Sequence, residues 1–138
     1  MAQAHSTARL AAPYRAASME LVDSIAEGLP FNAVDQLSAA LAPNDQTFKY
    51  RLVPKATYAR RKAAHRLSAA ESERMVRLDR IWTLALDVWK DEDEARRFLT
   101  RPHMLLSQRT ALDVALDSEL GGKLVEDLLA AVRYSTAV

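Results

Sequence analysis

Apolar side chains recur three or four residues apart along most of this 138-residue chain, and nowhere do they alternate strictly with polar ones over a useful length. The first spacing places side chains on one face of an α-helix, whereas alternation is typical of a half-buried β-strand. Alanine and leucine, which both favour helices, dominate the sequence, and only three glycines and five prolines interrupt them. We therefore predict an all-α fold.

Start and stop signals divide this pattern into eight predicted helices. Gly28 is a stop signal, whereas Ser68 with Glu71 and Asp91 with Glu94 have the spacing of capped helix starts. The predicted helices cover residues 14–27, 31–41, 45–52, 55–66, 69–90, 93–100, 110–116 and 121–134.

Several of these helices have an apolar face that we expect to lie against the core. In the first helix this face is Ala17, Leu21 and Ile25, and in the second it is Phe31, Val34, Leu37 and Leu41. In the long helix the face is Met75, Leu78, Ile81, Trp82, Ala85, Val88 and Trp89, and in the last it is Leu124, Val125, Leu128 and Val132.

The charges are unevenly distributed. Residues 1–70 carry nine basic and five acidic side chains, whereas residues 71–138 carry ten basic and thirteen acidic ones. No acidic residue lies between Asp45 and Glu71, although that stretch contains seven lysines and arginines. A basic stretch without counter-charges is typical of a polyanion binder, and the alternative is a solvated helix face. We expect a tail over 1–13 and domains over 14–68 and 69–138.

Within the basic stretch, a short helix, the break at residues 52–54 and a second helix have helix-turn-helix spacing. On a helical wheel, Ala56, Ala59 and Ala63 share one side of the second helix, which we expect to pack against neighbouring helices. We expect Arg60, at the margin of this side, to form an ion pair with Glu71 or Glu73.

The opposite side of the same helix then carries cations, a hydroxyl and an aromatic ring. These groups contact phosphates and base edges in the major groove of DNA. The predicted DNA-contacting residues are Lys49, Arg51, Lys55, Thr57, Tyr58, Arg61, Lys62, His65 and Arg66.

Nothing in the sequence predicts an enzyme, a metal or a cofactor. His5, His65 and His103 are not spaced as ligands, and the chain has no cysteine. The acidic run 91–94 is interpreted as a solvated helix start, and the pair Gly121-Gly122 lacks a phosphate-loop context. Because no apolar stretch has membrane-spanning length and no secretory signal is evident, we expect a cytoplasmic protein.

Residues 53–102 resemble the Xre/MbcA/ParS antitoxins. The family pattern has a threonine and a basic pair in the recognition helix, here Thr57 and Arg60-Arg61. It continues with Leu67-Ser68, Glu71-Ser72-Glu73-Arg74, Arg77-Leu78, Arg80-Ile81, Ala95, Phe98-Leu99 and Pro102. Farther on, Leu105-Leu106, Leu112, Gly121 or Gly122, and Val125 with Leu129 fit a leucine-rich segment, a glycine and a closing helix. Members often have a glycine where Ala64 or His65 stands, and another near Ser107.

This resemblance implies an Xre-like helix-turn-helix bundle followed by a small helical toxin-binding domain. It implies an antitoxin that inhibits a co-encoded RES-domain toxin, which degrades NAD or transfers ADP-ribose from it, and that represses its own operon. It places the toxin contacts on the segment 105–116 and the final helix. The expected toxin-binding residues are Leu105, Leu106, Arg109, Leu112, Arg133 and Tyr134.

A second hypothesis is a stand-alone helix-turn-helix repressor whose C-terminal domain dimerises or senses a ligand. An adjacent gene for a RES-domain toxin would favour the antitoxin, and its absence would favour the repressor. Since operators of this kind are often palindromic, we also expect a homodimer on DNA.

Overall fold

The computed structural model describes residues 17–136, so the predicted tail and the predicted helix start at Tyr14 lie outside the described residues. Within them the all-α prediction is confirmed, with one short β-hairpin added. The elements are α1 (Met19–Glu27), α2 (Asn32–Leu41), α3 (Lys49–Leu52), α4 (Lys55–Ala64), α5 (Ala69–Trp89), α6 (Glu92–Thr100), β1 (Pro102–His103), β2 (Arg109–Thr110), α7 (Ala111–Asp117) and α8 (Glu119–Thr136). Over this range, no helix has both the length and the apolar character needed to cross a membrane.

The chain forms two compact units, and the boundary between them lies after Asp79, within α5. The first contains α1 to α4 and the beginning of α5, and the second contains the rest of α5 and all later elements. The predicted boundary between a DNA-binding domain ending at residue 68 and a toxin-binding domain starting at residue 69 stays a prediction.

In the first unit, α2 supplies the predicted core face. Its four residues Phe31, Val34, Leu37 and Leu41 are all buried, as the spacing predicts. Helix α3 packs on α2 and is shorter than predicted, because residues 45–48 form turns instead of helix.

Helix α1 begins later than predicted. Ser18 is extended, and its Oγ accepts a hydrogen bond from the Leu21 N–H at 3.1 Å, which caps the helix at Met19. Ala17 is therefore outside the helix and exposed, and of the predicted face Leu21 is buried and Ile25 is half-buried.

The connection after α1 is tied to the residues that follow α4. Gly28 has a φ of 96°, and a Cβ there would lie 2.2 Å from the carbonyl oxygen of Leu67. The Leu67 N–H donates to the Leu29 carbonyl at 2.9 Å, and the Phe31 N–H donates to the His65 carbonyl at 3.2 Å. The end of α4 is thereby fixed against the entry to α2.

Helix α5 begins with the predicted capping box. The Ser68 N–H donates to Glu71 Oε1 at 2.9 Å, and the Glu71 N–H donates to Ser68 Oγ at 3.1 Å. The predicted apolar face is buried from Met75 to Ala85, whereas Val88 and Trp89 are half-buried.

The second unit contains a hairpin that the sequence did not predict. β1 and β2 pair antiparallel around a 3₁₀ turn at Met104–Leu106. Ser107 and Gln108 reverse the chain with φ values of 57° and 66°, a left-handed conformation that glycine or asparagine usually marks. Without such a residue, the pattern gave no hairpin signal.

Helix α7 begins at the predicted cap, since the Asp113 N–H donates to Thr110 Oγ1 at 3.0 Å. It packs closely on α8, where a Cβ on Gly121 would lie 2.1 Å from the Val114 carbonyl oxygen. This approach turns Val125 and Leu129 inward. The prediction that Leu124 is buried is wrong. Val125 and Leu129 form the buried face of α8, and Leu124 lies beside that face and is exposed.

Candidate DNA and toxin interfaces

Helix α4, the predicted recognition helix, lies at the surface of the first unit. None of its residues is fully buried. It begins after Pro54 and ends at His65, which has a left-handed φ of 60°. His65 thus occupies a conformation that suits the glycine expected there from the resemblance.

The prediction that the alanine side of α4 packs against the bundle is wrong. Ala56, Ala59 and Ala63 are exposed, whereas Tyr58 and Arg61 are half-buried on the inward side. A large aromatic ring gains more from burial than methyl groups do, so Tyr58 determines which side faces inward.

Tyr58 is held by three neighbours in the first unit. Its ring packs edge-on against Phe31 and Tyr50, with centroids 5.0 and 5.2 Å apart, and its hydroxyl donates to Asp35 at 3.2 Å. Burial raises the pKa of Tyr58, and the negative charge of Asp35 adds to the effect. The ammonium of Lys49 lies 5.1 Å from the centre of the Tyr58 ring, a cation–π distance.

Arg61 forms the ion pair that was expected of Arg60. Its Nε–H donates to Glu71 Oε1 at 2.8 Å, whereas the Arg60 side chain is exposed. Burial acts to raise the pKa of Glu71, but hydrogen bonds from Ser68 and Arg61, together with the Arg61 charge, outweigh it and lower the pKa.

Three other predicted DNA-contacting residues also interact within the unit. Arg66 donates from Nη1 to the carbonyls of Glu27 and Gly28 at 3.0 and 3.1 Å, at the end of α1. The Thr57 hydroxyl donates to the Pro54 carbonyl at 3.1 Å, and the Arg51 guanidinium lies 5.6 Å from the Phe48 ring centre.

The nine predicted DNA-contacting residues therefore divide into two groups. The exposed group has cationic or imidazole side chains, namely Arg51, Lys55, Lys62, His65 and Arg66. The half-buried group contacts other residues of the first unit and consists of Lys49, Thr57, Tyr58 and Arg61. Arg60, which was not predicted to contact DNA, also has an exposed side chain.

The predicted toxin-binding residues of the segment 105–116 also divide by exposure. Leu105, at the tip of the hairpin, is 77% exposed, and its neighbour Met104, which was not among the predicted contacts, is 80% exposed. Leu106 and Leu112 are each 5% exposed, which leaves little of either side chain for a partner. These two leucines hold the segment in place through the core.

A groove of about 480 Å³ lies between α7 and α8. Its apolar lining includes Leu120 and Leu124, which are 78% and 48% exposed, beside Val114. Ion pairs Arg109–Asp117 and Lys123–Asp127 lie along the same groove. The structure thus places Arg109 in the same groove as Leu124, which the helical spacing predicts to lie in the core.

The two predicted contacts near the end of α8 have different surroundings. Arg133 forms an ion pair with Asp87 of α5, whereas Tyr134 is largely exposed. Both residues are helical, since α8 continues to Thr136. Residues 137 and 138 lie outside the described residues.

The second unit also has an ion-pair network that joins α5 to α8. Arg80 donates to Glu126 at 2.5 Å and to Glu119 at 3.2 Å, which fixes α8 against the second half of α5. Across residues 17–136, no three histidine or acidic side chains gather closely enough to hold a metal ion. The acidic run 91–94 instead begins α6, where the Glu94 N–H donates to Asp91 at 2.9 Å.

Two family models match the chain, one over each part. Residues 20–78 match the antitoxin Xre-like helix-turn-helix domain, and residues 84–134 match the antitoxin Xre/MbcA/ParS C-terminal toxin-binding domain. No curated protein matches the chain. With both domains present in this order, the chain belongs to the Xre-type antitoxins and has a helix-turn-helix DNA-binding domain followed by a toxin-binding domain.

Proposed function

We propose that this antitoxin inhibits a co-encoded RES-domain toxin by covering its active site, and that it represses its own operon. The toxin would be NAD-consuming or ADP-ribosylating. The observation that carries the toxin part is the exposure of large apolar side chains in the domain that matches toxin-binding domains. Exposed apolar patches of this kind mark protein interaction sites.

The hairpin tip is the first half of the proposed toxin interface. Leu105 and Met104 project from a turn whose third residue, Leu106, is anchored in the core. An anchored turn loses little conformational entropy on binding, because its backbone is already ordered. Such a tip suits insertion into a cleft of the partner.

The groove between α7 and α8 is the second half of the proposed toxin interface. Its apolar residues Leu120 and Leu124 would be covered by the toxin, while Arg109 and Lys123 offer charged groups at the rim. Apolar centres with polar rims are the usual anatomy of protein interfaces. The acid-rich composition of residues 71–138 would complement a cationic cleft that binds the pyrophosphate of NAD.

The toxin proposal is tested by expressing the chain together with the product of the adjacent gene. We expect a stable complex on size exclusion, and we expect the purified toxin to stop consuming NAD once one equivalent of antitoxin is added. A neighbouring toxin that neither degrades NAD nor transfers ADP-ribose from it would contradict the RES assignment. A toxin that stays active in a fully formed complex would contradict coverage of the active site.

For operator binding, the proposal rests on the exposed cations Lys55, Lys62 and Arg66 around a helix with no buried residue. Phosphate contacts of this kind release counterions, so affinity should fall steeply with salt. We expect the upstream promoter fragment to be retarded in a gel-shift assay, with Lys62→Ala weakening binding to all duplexes. An Asp127→Ala variant in the second unit is the control and should bind as tightly as the unaltered chain.

We further propose that the DNA-bound form is a homodimer. A dimer places two recognition helices about one helical turn of DNA apart, which matches a palindromic operator. Footprinting should protect two half-sites, and light scattering of the complex should give two chains per duplex. Protection of one half-site by one chain would contradict the dimer.

The alternative function is a stand-alone repressor whose C-terminal domain dimerises or senses a ligand. The match of residues 84–134 to a toxin-binding domain favours the antitoxin instead. Recovery of the chain as a dimer that ignores the neighbouring gene product would favour the repressor.

A further inference from the structure

The outward side of α4 carries the groups that are placed to read bases, and Arg61 is not among them. We propose that Arg60 reads a guanine in the operator, with the methyl groups of Ala59 and Ala63 against thymine methyls beside it. Arg61 is then a positioning residue. This inference rests on the proposed operator binding and names the base chemistry that the helix recognises.

The first step is the position of Arg60 on the helix. At roughly 100° per residue, Ala56, Ala59 and Ala63 occupy an arc of about 60°, and Arg60 lies about 40° beyond Ala56. All four side chains are exposed, opposite the half-buried Tyr58 and Arg61. Arg60 therefore borders the outermost surface of the helix, where the floor of a major groove would lie.

The second step is the small size of the residues beside it. Methyl side chains let the helix backbone approach the base edges more closely than long side chains would, and alanine methyls make apolar contact with the thymine methyl. At that distance an arginine at the border reaches a base instead of only a phosphate. Its planar fork matches guanine O6 and N7 in a bidentate contact.

The third step is electrostatic. The nearest acidic residues in sequence are Asp45 and Glu71, and Glu71 already accepts hydrogen bonds from Arg61 and Ser68. Within residues 17–136, Arg60 forms no ion pair that would have to be broken before it binds DNA. Lys62, on the other edge of the alanine arc, is a compact charge that suits a phosphate.

Methylation interference separates base reading from phosphate contact and from folding. Promoter duplexes methylated at guanine N7 would be bound by the unaltered chain and by the Arg60→Ala, Arg60→Lys and Arg61→Ala variants. For the unaltered chain, one methylated guanine per half-site should block binding. For both Arg60 variants that interference should disappear, and the preference for the promoter over a scrambled duplex should fall roughly tenfold or more.

The remaining variants and a second substitution complete the test. Arg61→Ala should retain the guanine interference while its melting temperature falls, whereas Arg60→Ala should melt like the unaltered chain. Replacing thymine by uracil next to that guanine should weaken binding, because the methyl contact is lost. Unchanged promoter preference and unchanged interference in Arg60→Ala would overturn the assignment of Arg60 alone. If the unaltered chain does not distinguish its promoter from the scrambled duplex, the proposed operator binding itself fails.

Discussion

Arg61 and Glu71 join the recognition helix to the helix that follows it, through a hydrogen bond of 2.8 Å from Nε to Oε1. The same carboxylate oxygen accepts the Ser68 N–H at 2.9 Å and so completes the cap of α5. One largely buried carboxylate therefore begins α5 and fixes the orientation of α4.

Replacing Glu71 by Gln should destabilise the first unit. The amide oxygen can still accept one hydrogen bond, but the charge-assisted bond to Arg61 is lost. We expect the free energy of unfolding to fall by about 1–3 kcal/mol, because buried hydrogen bonds to charged groups contribute about that much. Urea denaturation measures the change.

The control for this substitution is Glu94→Gln, which removes an exposed ion pair with Arg97 and should leave stability unaltered. Equal stability of Glu71→Gln and the unaltered chain would show that the Arg61 pair does not hold α4.

The lowered pKa of Glu71 also predicts how stability depends on pH. Because the folded-state pKa lies below the ordinary value of 4.5, the stabilisation is present above that pH and is lost as the pH falls through the folded-state pKa. We expect the stability difference between the unaltered chain and Glu71→Gln to be constant from pH 6 to 7 and to shrink in strong acid. A difference that grows on acidification would contradict this sign.

Gly28 predicts a second stability effect. An alanine there would have a strained φ of 96° and a Cβ 2.2 Å from the Leu67 carbonyl oxygen, which is itself backbone. We expect Gly28→Ala to lower the free energy of unfolding by about 2–4 kcal/mol, the combined cost of backbone strain and overpacking.

A matched control is Glu27→Ala, which changes the preceding exposed side chain and should have little effect on stability. Operator binding should also weaken in Gly28→Ala, since the connection that it disturbs fixes the end of α4. If Gly28→Ala were as stable as the unaltered chain, the connection between α1 and α2 would be able to open and accept a Cβ.

The starts of α5 and α7 could be predicted because their signals are local. Ser68 with Glu71, and Thr110 with Asp113, lie three residues apart, so the sequence alone contains both partners of each cap. The long-range contact between Gly28 and Leu67 has no such local signal, and only the fold brings the two together.

The orientation of α4 could not be predicted because both its alanine side and its Tyr58 side could pack against the core. A helical wheel shows that Ala59 and Tyr58 lie on different sides, but it does not show which side has partners. Phe31, Tyr50 and Asp35 provide those partners for Tyr58, and two of the three come from before residue 45. Small alanine side chains allow close helix packing, which favoured the alanine side as the inward one, although burying a methyl group contributes little.

The proposed toxin interface predicts which leucines the complex needs. Leu105→Ser and Leu124→Ser should each weaken toxin binding by roughly tenfold or more, because exposed apolar side chains are lost from an interface centre. Both positions are exposed in the antitoxin, so the fold should be retained. Isothermal titration calorimetry against the purified toxin measures the change.

Val22→Ser is the matched control, since Val22 is an exposed apolar residue of α1 in the DNA-binding domain. It should bind the toxin as tightly as the unaltered chain. Wild-type affinity in both leucine variants would move the toxin interface away from the hairpin tip and the groove.

The end of α8 provides the last prediction. Tyr134 is exposed and belongs to a residue type that is common in interface hot spots, whereas Arg133 is paired with Asp87. If this end enters the toxin cleft, deleting residues 133–138 should abolish inhibition of NAD consumption at equal stoichiometry. The alternative is that these residues contribute nothing to inhibition.

Two point variants distinguish a lost contact from a loosened helix. Tyr134→Ala removes the exposed ring without touching the ion pair, and it should reduce inhibition while leaving the melting temperature unchanged. Arg133→Ala breaks the pair with Asp87 and should loosen the end of α8, so that any loss of inhibition comes with a lower melting temperature. Full inhibition by the deleted chain would exclude the end of α8 as the blocking element. The hairpin tip at Leu105 would then be the segment that covers the active site.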